Sequence, residues 1–192
     1  MTSFESRPDV PQNSLGPEPA SPIEPPPRVR LVGLFDALME RRELAVPGLP
    51  QGVPTGAPDA SRRPSLLLVG EALSEAASTN LQQRGFRKAV DVEDLIDALG
   101  ALAERRYDAV AIWDHVHEKP VRFVRALQSF DGPAPDPLLP LLSSRVRNVP
   151  IAVINGGGGY AVFLTGGAWC LSEAGGPDWV SALQTLIPRR GP

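Results

Sequence analysis

The spacing of hydrophobic positions changes near residue 65. Beyond that point, short runs of consecutive apolar residues alternate with stretches in which apolar residues recur every three or four positions. Short runs are typical of strands buried on both faces, and the wider spacing is typical of amphipathic helices. The pattern therefore predicts an α/β domain with a mainly parallel sheet over residues 65–188.

Five strands and four helices are predicted in this domain. The strands cover residues 66–69, 86–90, 107–113, 149–154 and 168–171. The helices cover residues 71–84, 92–106, 120–129 and 177–187, and Asp91 is expected to cap the second of them. Residues 130–148 contain four prolines and receive no predicted element.

The first 64 residues have a different composition, because 13 of the 22 prolines lie there. Residues 1–27 are predicted to be a disordered tail and residues 45–64 a flexible linker. Between them, residues 28–44 carry apolar positions at helical spacing, Phe35 and Leu38 among them. This amphipathic helix either packs on the domain or is a portable docking helix, in which case Phe35 and Leu38 would contact a partner protein.

Composition excludes several classes of function. The formal net charge of -3, without a long basic run, gives no basis for binding nucleic acid or a membrane surface. The apolar runs are too short to cross a bilayer, and no secretory signal is evident, so we expect a cytoplasmic protein without membrane insertion. Cys170 is the only cysteine, and we expect it to be a small core residue.

Three blocks of sequence, in the predicted order of elements, resemble the receiver domain of response regulators. AVDVEDLIDALGALAERRYDAVAIWD resembles the end of the second strand, the second helix and the third strand of that family. VPIAVIN resembles the fourth strand, and GAWCLSE resembles the fifth. The resemblance covers roughly residues 65–188 and implies a flavodoxin-like, doubly wound sheet of five parallel strands.

The residues at the family's phosphorylation pocket are degenerate in this chain. The family uses an acidic pair after strand one, an Asp after strand three, a hydroxyl after strand four and a Lys after strand five. The matching positions hold Gly70 and Glu71, Trp113 with Asp114 one residue beyond it, Asn155, and Ser172 or Glu173. One residue of slip along a strand can turn a side chain away from the pocket. The resemblance therefore implies an atypical receiver, or pseudo-receiver.

Such domains act through protein contacts, so we expect a non-catalytic regulatory or scaffolding module that binds another protein and needs no cofactor. In the receiver family a fourth helix follows the fourth strand. Gly156 to Gly159 indicate that this helix is short, remodelled or absent here, which leaves Tyr160, Phe163 and Trp169 as candidate partner-binding residues. A homodimer through the last strand and helix is a further hypothesis. The alternative within the same family is a phosphorylatable response regulator that uses Asp114.

Both histidines of the chain lie beside carboxylates in the segment Asp114-His115-Val116-His117-Glu118. On an extended segment, His115 and His117 would share one face and could begin a transition-metal site. A third ligand would still be needed. A small metal-binding protein is therefore a third hypothesis, and a polar loop at a strand end is the simpler interpretation.

Overall fold

The computed structural model describes residues 26–40, 63–72, 74–134, 136–172 and 178–187. Apart from residues 26–27 and 63–64, the predicted tail and linker lie outside these residues. So do residues 41–44 of the predicted N-terminal helix, together with Glu173.

Helices and strands alternate along most of the described chain. In order they are α1 (Arg28–Glu40), β1 (Ser65–Val69), α2 (Glu75–Gln83), β2 (Lys88–Val92), α3 (Leu95–Glu104), β3 (Ala109–Trp113), α4 (Pro120–Gln128), α5 (Leu138–Val146), β4 (Ile151–Ile154), β5 (Tyr160–Leu164), β6 (Gly167–Ser172) and α6 (Trp179–Leu186). A short 3₁₀ turn, Asp114–Val116, follows β3. Asp94, and not Asp91, caps α3, because β2 continues through Asp91 to Val92.

The strands form a six-stranded sheet in the order β2-β1-β3-β4-β5-β6. The first four strands in this order are parallel, while β5 is antiparallel to both β4 and β6. The predicted α/β class with a mainly parallel sheet is therefore confirmed, and the prediction of a five-stranded, entirely parallel sheet is wrong, because β5 is an additional antiparallel strand. Since β5 reverses the chain once and β6 reverses it again, β6 points in the same direction as β1 to β4.

The additional strand, β5, follows β4 at the point where the receiver resemblance implies a helix, which was predicted to be short, remodelled or absent. Its residues alternate, with Tyr160 and Val162 packed on one side of the sheet and Phe163 on the other. A two-residue turn, Thr165-Gly166, joins β5 to β6, and both residues have positive φ values of 52° and 80°. This is the type I′ geometry that suits the twist of a hairpin.

Helix α5 lies within the proline-containing stretch to which no element was assigned. Pro137 is the residue before the helix, and Pro140 lies in its first turn. Backbone N–H groups in the first turn have no partner inside a helix, so proline is tolerated there. The prolines therefore mark the start of α5 and do not prevent it.

The two faces of the sheet are covered by different helices. We call the face under α1, α3, α4 and α5 the first face, and the face under α2 and α6 the second face. Leu67, Val110 and Ile151 point to the first face, and Leu66 and Ala109 point to the second. All five side chains are at most 1% exposed, so β1, β3 and β4 are buried on both faces, as their continuous apolar runs predict. Together with the partly buried edge strand β2 they form what we call the parallel half of the sheet.

Helix α1 packs on the domain. Leu31, Leu34 and Leu38 are buried in the core of the first face, and Leu38 is fully buried. Arg28 forms ion pairs with two carboxylates at the start of α3, and Arg30 forms one with Asp136. The structure therefore contradicts the portable docking helix, because the apolar stripe that a partner would contact is already covered.

Candidate functional site

The carboxyl ends of β1, β3, β4 and β6 meet at one end of the sheet, which we call the carboxyl end. A groove of about 590 Å³ opens there. It is lined by Asp114, Pro120, Val121, Val153, Asn155, Gly159, Tyr160, Ala161 and Ser172. The topology therefore brings three of the predicted pocket residues, Asp114, Asn155 and Ser172, to one groove.

Gly70, which was predicted to match the first acidic position of the pocket, lies against the turn that follows β3. Gly70 has a φ of +92°, and a Cβ atom there would lie 2.0 Å from Cγ1 of Val116. Nε2 of His115 donates a hydrogen bond to the carbonyl oxygen of Gly70 at 2.8 Å. The 3₁₀ turn after β3 thus lies directly against the end of β1, and Gly70 cannot be replaced by a larger residue without displacing it.

The remaining acidic residues of the predicted pocket are exposed. Glu71 and Asp114 are both exposed, and neither forms an ion pair with another described residue. Trp113, which was predicted to match the phosphoacceptor position, packs on the second face with its ring 5.8 Å from the ring of Trp179, edge to face. Its side chain therefore contributes to the core of that face.

Asn155 organises the glycine-rich loop between β4 and β5. Its Oδ1 accepts hydrogen bonds from the backbone N–H groups of Gly157 at 3.0 Å and Gly159 at 2.8 Å. The N–H of Gly158 donates to the backbone carbonyl of Asn155 at 3.0 Å. Three of the four glycine N–H groups are thus directed at Asn155, so the loop is a closed turn and does not present these donors to a phosphate.

The two histidines point to different neighbours. His115 is bonded to Gly70, whereas Nδ1 of His117 accepts from the N–H of Lys119 at 3.0 Å, and its ring packs edge to face on Phe35 of α1. The expected shared face requires an extended segment, and residues 114–116 instead form a 3₁₀ turn. In the part of the chain that the structure describes, no group of three His, Cys, Asp or Glu side chains could hold a metal ion.

The predicted partner-binding residues are mostly covered. Leu38, Tyr160 and Phe163 are 0%, 6% and 3% exposed, because α1 and β5 contribute them to the two core clusters. They are not available to a partner in this conformation. Phe35 and Trp169 are half-buried.

Trp169 lies at an irregularity of the edge strand β6. The pairs Phe163 with Ala168 and Val162 with Cys170 leave Trp169 without a partner across the ladder, and its Nε1 donates to the carbonyl of Leu164 at 3.1 Å. A bulge of this kind interrupts a free strand edge and disfavours pairing with another chain. The hypothesis of a homodimer through the last strand and helix stays a prediction, and the bulge argues against its strand-pairing part.

Two residues that shape this region were not singled out by the sequence analysis. Val116 covers Gly70, and no local signal distinguishes it from any other loop valine. Gln128 is fully buried and bonds to the chain around β5. Its position was detectable, because it follows Val124 by four residues and Pro120 by eight, on the apolar side of α4.

No family model, curated protein or solved structure matches the chain. Among the described residues, no helix is both long enough and apolar enough to cross a membrane. The arguments that follow therefore depend on the geometry of the molecule itself.

Proposed function

We propose that this chain is a non-catalytic regulatory or scaffolding module, built on a receiver-like scaffold, that acts by binding protein. The strand order β2-β1-β3-β4, with helices on both faces, supports the flavodoxin-like arrangement that the receiver resemblance implies. The hairpin β5–β6 takes the place of the helix that follows the fourth strand in the receiver family. Because the chain reverses twice in it, β6 is again parallel to β4 before α6 begins. The sequence positions that resemble the receiver pocket therefore meet at the carboxyl end.

The observation that carries the proposal is the contact between Gly70 and Val116. A magnesium site needs carboxylate oxygens held close together, and phosphoryl transfer to an Asp depends on such an ion. Here the first carboxylate is missing, and a valine methyl group fills the space that its side chain would need. Restoring the pocket would require moving the turn after β3 as well as changing Gly70.

Incubation of the full chain with acetyl phosphate and Mg²⁺, followed by intact-mass measurement, tests the proposal. We expect no species heavier by one phosphoryl group. The variants Asp114→Asn and Asp36→Asn serve as a matched pair, because both carboxylates are exposed and Asp36 lies on α1. An adduct that persists in Asp36→Asn and disappears in Asp114→Asn would contradict the proposal and favour a phosphorylatable regulator.

A further inference from the structure

Three neighbouring strands of the sheet have the same arrangement of charge at their ends. Strands β2, β1 and β3 each begin shortly after an exposed arginine and end shortly before an exposed acidic residue. The pairs are Arg87 and Glu93 on β2, Arg63 and Glu71 on β1, and Arg106 and Asp114 on β3. The end of the sheet at which these strands begin, which we call the amino end, is therefore basic, and the carboxyl end is acidic.

The register of the strands aligns these charges in rows on β1 and β3. Leu66 pairs with Ala109, and Arg63 and Arg106 each precede their paired residue by three positions. Val69 pairs with Ile112, and Glu71 and Asp114 each follow by two positions. On β2, Arg87 comes directly before Lys88, the residue paired with Ser65, and Glu93 comes directly after Val92.

Several other charges at the two ends of the sheet have partners inside the chain. Asp94 and Asp97 pair with Arg28, Asp178 pairs with Arg84, and Arg145 donates to carbonyl groups at the end of α3. The three aspartates also lie at the N-termini of α3 and α6, where a negative charge compensates the helix dipole. None of the six takes part in an ion pair within the described part of the chain.

We infer that the basic amino end of one molecule binds the acidic carboxyl end of a second copy, so that copies associate head to tail. Neighbouring strands are spaced by about 4.8 Å at both ends of a sheet, so the arginine row and the acidic row have matching spacing. If the second copy is displaced along the strand direction and rotated to continue the sheet twist, the arginines of one copy lie over the carboxylates of the other.

The groove beside Asp114 favours the same contact. Its apolar wall, formed by Pro120 and Val121, suits the aliphatic part of an arginine side chain whose guanidinium reaches a carboxylate. Among the described residues, opposing charges are also exposed, namely Lys119 and the paired Arg28 at the acidic end and Glu104 and Asp131 at the basic end. The acidic and basic rows exceed them in number, so the two ends remain complementary. The inference rests on the proposed function and names a second copy as the partner.

A head-to-tail contact uses two different surfaces, so it leaves a free end on each molecule and permits open-ended growth. It also depends on attraction between exposed charges, which salt weakens. The Debye screening length is about 30 Å at 0.01 M ionic strength and about 3 Å at 1 M. Sedimentation velocity of the full chain across a concentration series should therefore show association at the lower ionic strength and a monomer at the higher one.

Two triple variants provide the decisive experiment. The amino-end variant carries Arg63→Gln, Arg87→Gln and Arg106→Gln, and the carboxyl-end variant carries Glu71→Gln, Glu93→Gln and Asp114→Asn. Each alone should remain monomeric at low ionic strength, because one of its two surfaces is neutral. An equimolar mixture should form a 1:1 heterodimer that does not grow, since only one complementary pair of surfaces remains.

Single variants provide the controls. Glu104→Gln removes one opposing charge from the basic end and should strengthen association, whereas Asp36→Asn on α1 should leave it unchanged. A wild-type chain that stays monomeric at low ionic strength, or a mixture that forms no heterodimer, overturns the inference. So does tight binding of a single-stranded oligonucleotide that only the amino-end variant loses, because the arginines would then serve a nucleic acid. Each of these results is independent of phosphorylation, which tests the proposed function separately.

Discussion

Helix α1 and the hairpin β5–β6 are both attached to the parallel half of the molecule, but by different kinds of contact. Helix α1 is held by a stripe of buried leucines, with ion pairs from Arg28 and Arg30 at its beginning. The hairpin also contributes buried side chains of β5 to both cores, and in addition it is bonded by the backbone ladder to β4 and by one buried polar side chain, Gln128. The apolar contacts are spread over several residues in both regions, whereas the polar contact to the hairpin turn is concentrated in Gln128. A single substitution of Gln128 should therefore affect the hairpin strongly.

Gln128 connects three parts of the chain from the end of α4. Its Nε2 donates to the carbonyl of Val149 at 2.8 Å and lies 3.3 Å from the carbonyl of Phe163 in β5. Its Oε1 accepts from the N–H of Gly166 at 3.1 Å, in the turn of the hairpin. The side chain is fully buried, so water cannot replace these bonds.

The largest effect is expected from Gln128→Leu. Leucine fills a similar volume but removes the Gln128 partners of the Gly166 N–H and the Val149 carbonyl in the core, and each such group costs about 1–3 kcal/mol. We expect a loss of about 4 kcal/mol in the free energy of unfolding, measured by urea titration.

The matched control is Gln83→Leu, which changes an exposed glutamine on α2 and should alter stability by less than about 0.5 kcal/mol. Hydrogen exchange should locate the loss of protection in β5 and β6 of the Gln128→Leu protein. Equal losses in both variants would mean that Gln128 does not hold the hairpin.

The sequence identified the parallel half because each of its strands is defined locally. The runs around Leu66, Val110 and Ile151 are apolar, short and bounded by breaking residues, so burial on both faces follows from them. The hairpin depends on Asn155 closing a glycine turn and on Gln128, 38 residues before Gly166, bonding its other end. Such distant polar contacts leave no periodic signal.

Leu34→Ala is the corresponding test of α1. Leu34 is 2% exposed in the core of the first face, and truncation of a buried leucine leaves a cavity. We expect a loss of about 3 kcal/mol, smaller than for Gln128→Leu, because Leu31 and Leu38 still anchor the helix.

Val29→Ala on the same helix is the control, since Val29 is 85% exposed and its truncation should have little effect. Thermal unfolding of Leu34→Ala should remain a single transition with a lowered midpoint, because α1 shares its core with β1 and β3. A separate early transition would show that α1 unfolds on its own.

The candidate site was predictable in position but not in structure. The order of strands was sufficient to place Asp114, Asn155 and Ser172 at one end of the sheet, and a groove joins them. The contact of Val116 with Gly70 depends on the path of a three-residue turn, and so does the divergence of His115 and His117. Periodicity does not determine the path of a loop, so these details required the structure.

A smaller effect of opposite sign is expected from Thr165→Asn in the hairpin turn. Thr165 has a φ of 52°, a conformation that costs a β-branched residue about 1–2 kcal/mol and that asparagine tolerates better. We expect stability to rise by about 1 kcal/mol in urea titration. Thr79→Asn, at a helical position in α2, should instead be neutral or slightly destabilising. No gain in Thr165→Asn would mean that the turn is not a source of strain.

The smallest effect concerns the ion pair that joins α1 to the segment before α5. Two hydrogen bonds from Arg30, at 2.6 and 2.7 Å, and one from the N–H of Leu138 hold the Asp136 carboxylate. The bond from Arg30 is the main cause that lowers the pKa of Asp136 below its ordinary value of 3.8, and burial opposes it. A lowered pKa in the folded state stabilises the fold above pH 3.8, and this contribution is lost as the pH falls through the folded-state pKa.

Urea titrations between neutral pH and the acid limb should therefore show wild type losing slightly more stability on acidification than Asp136→Asn. The pKa of Asp178 is also lowered, by bonds from Ser181 and Arg84 that outweigh its burial, and this carboxylate titrates over the same range in both proteins. The difference between the two curves thus isolates Asp136, with Asp36→Asn expected to follow wild type. Because the pair is partly exposed, salt should reduce the difference. Parallel curves would show that the ion pair does not contribute to the attachment of α1.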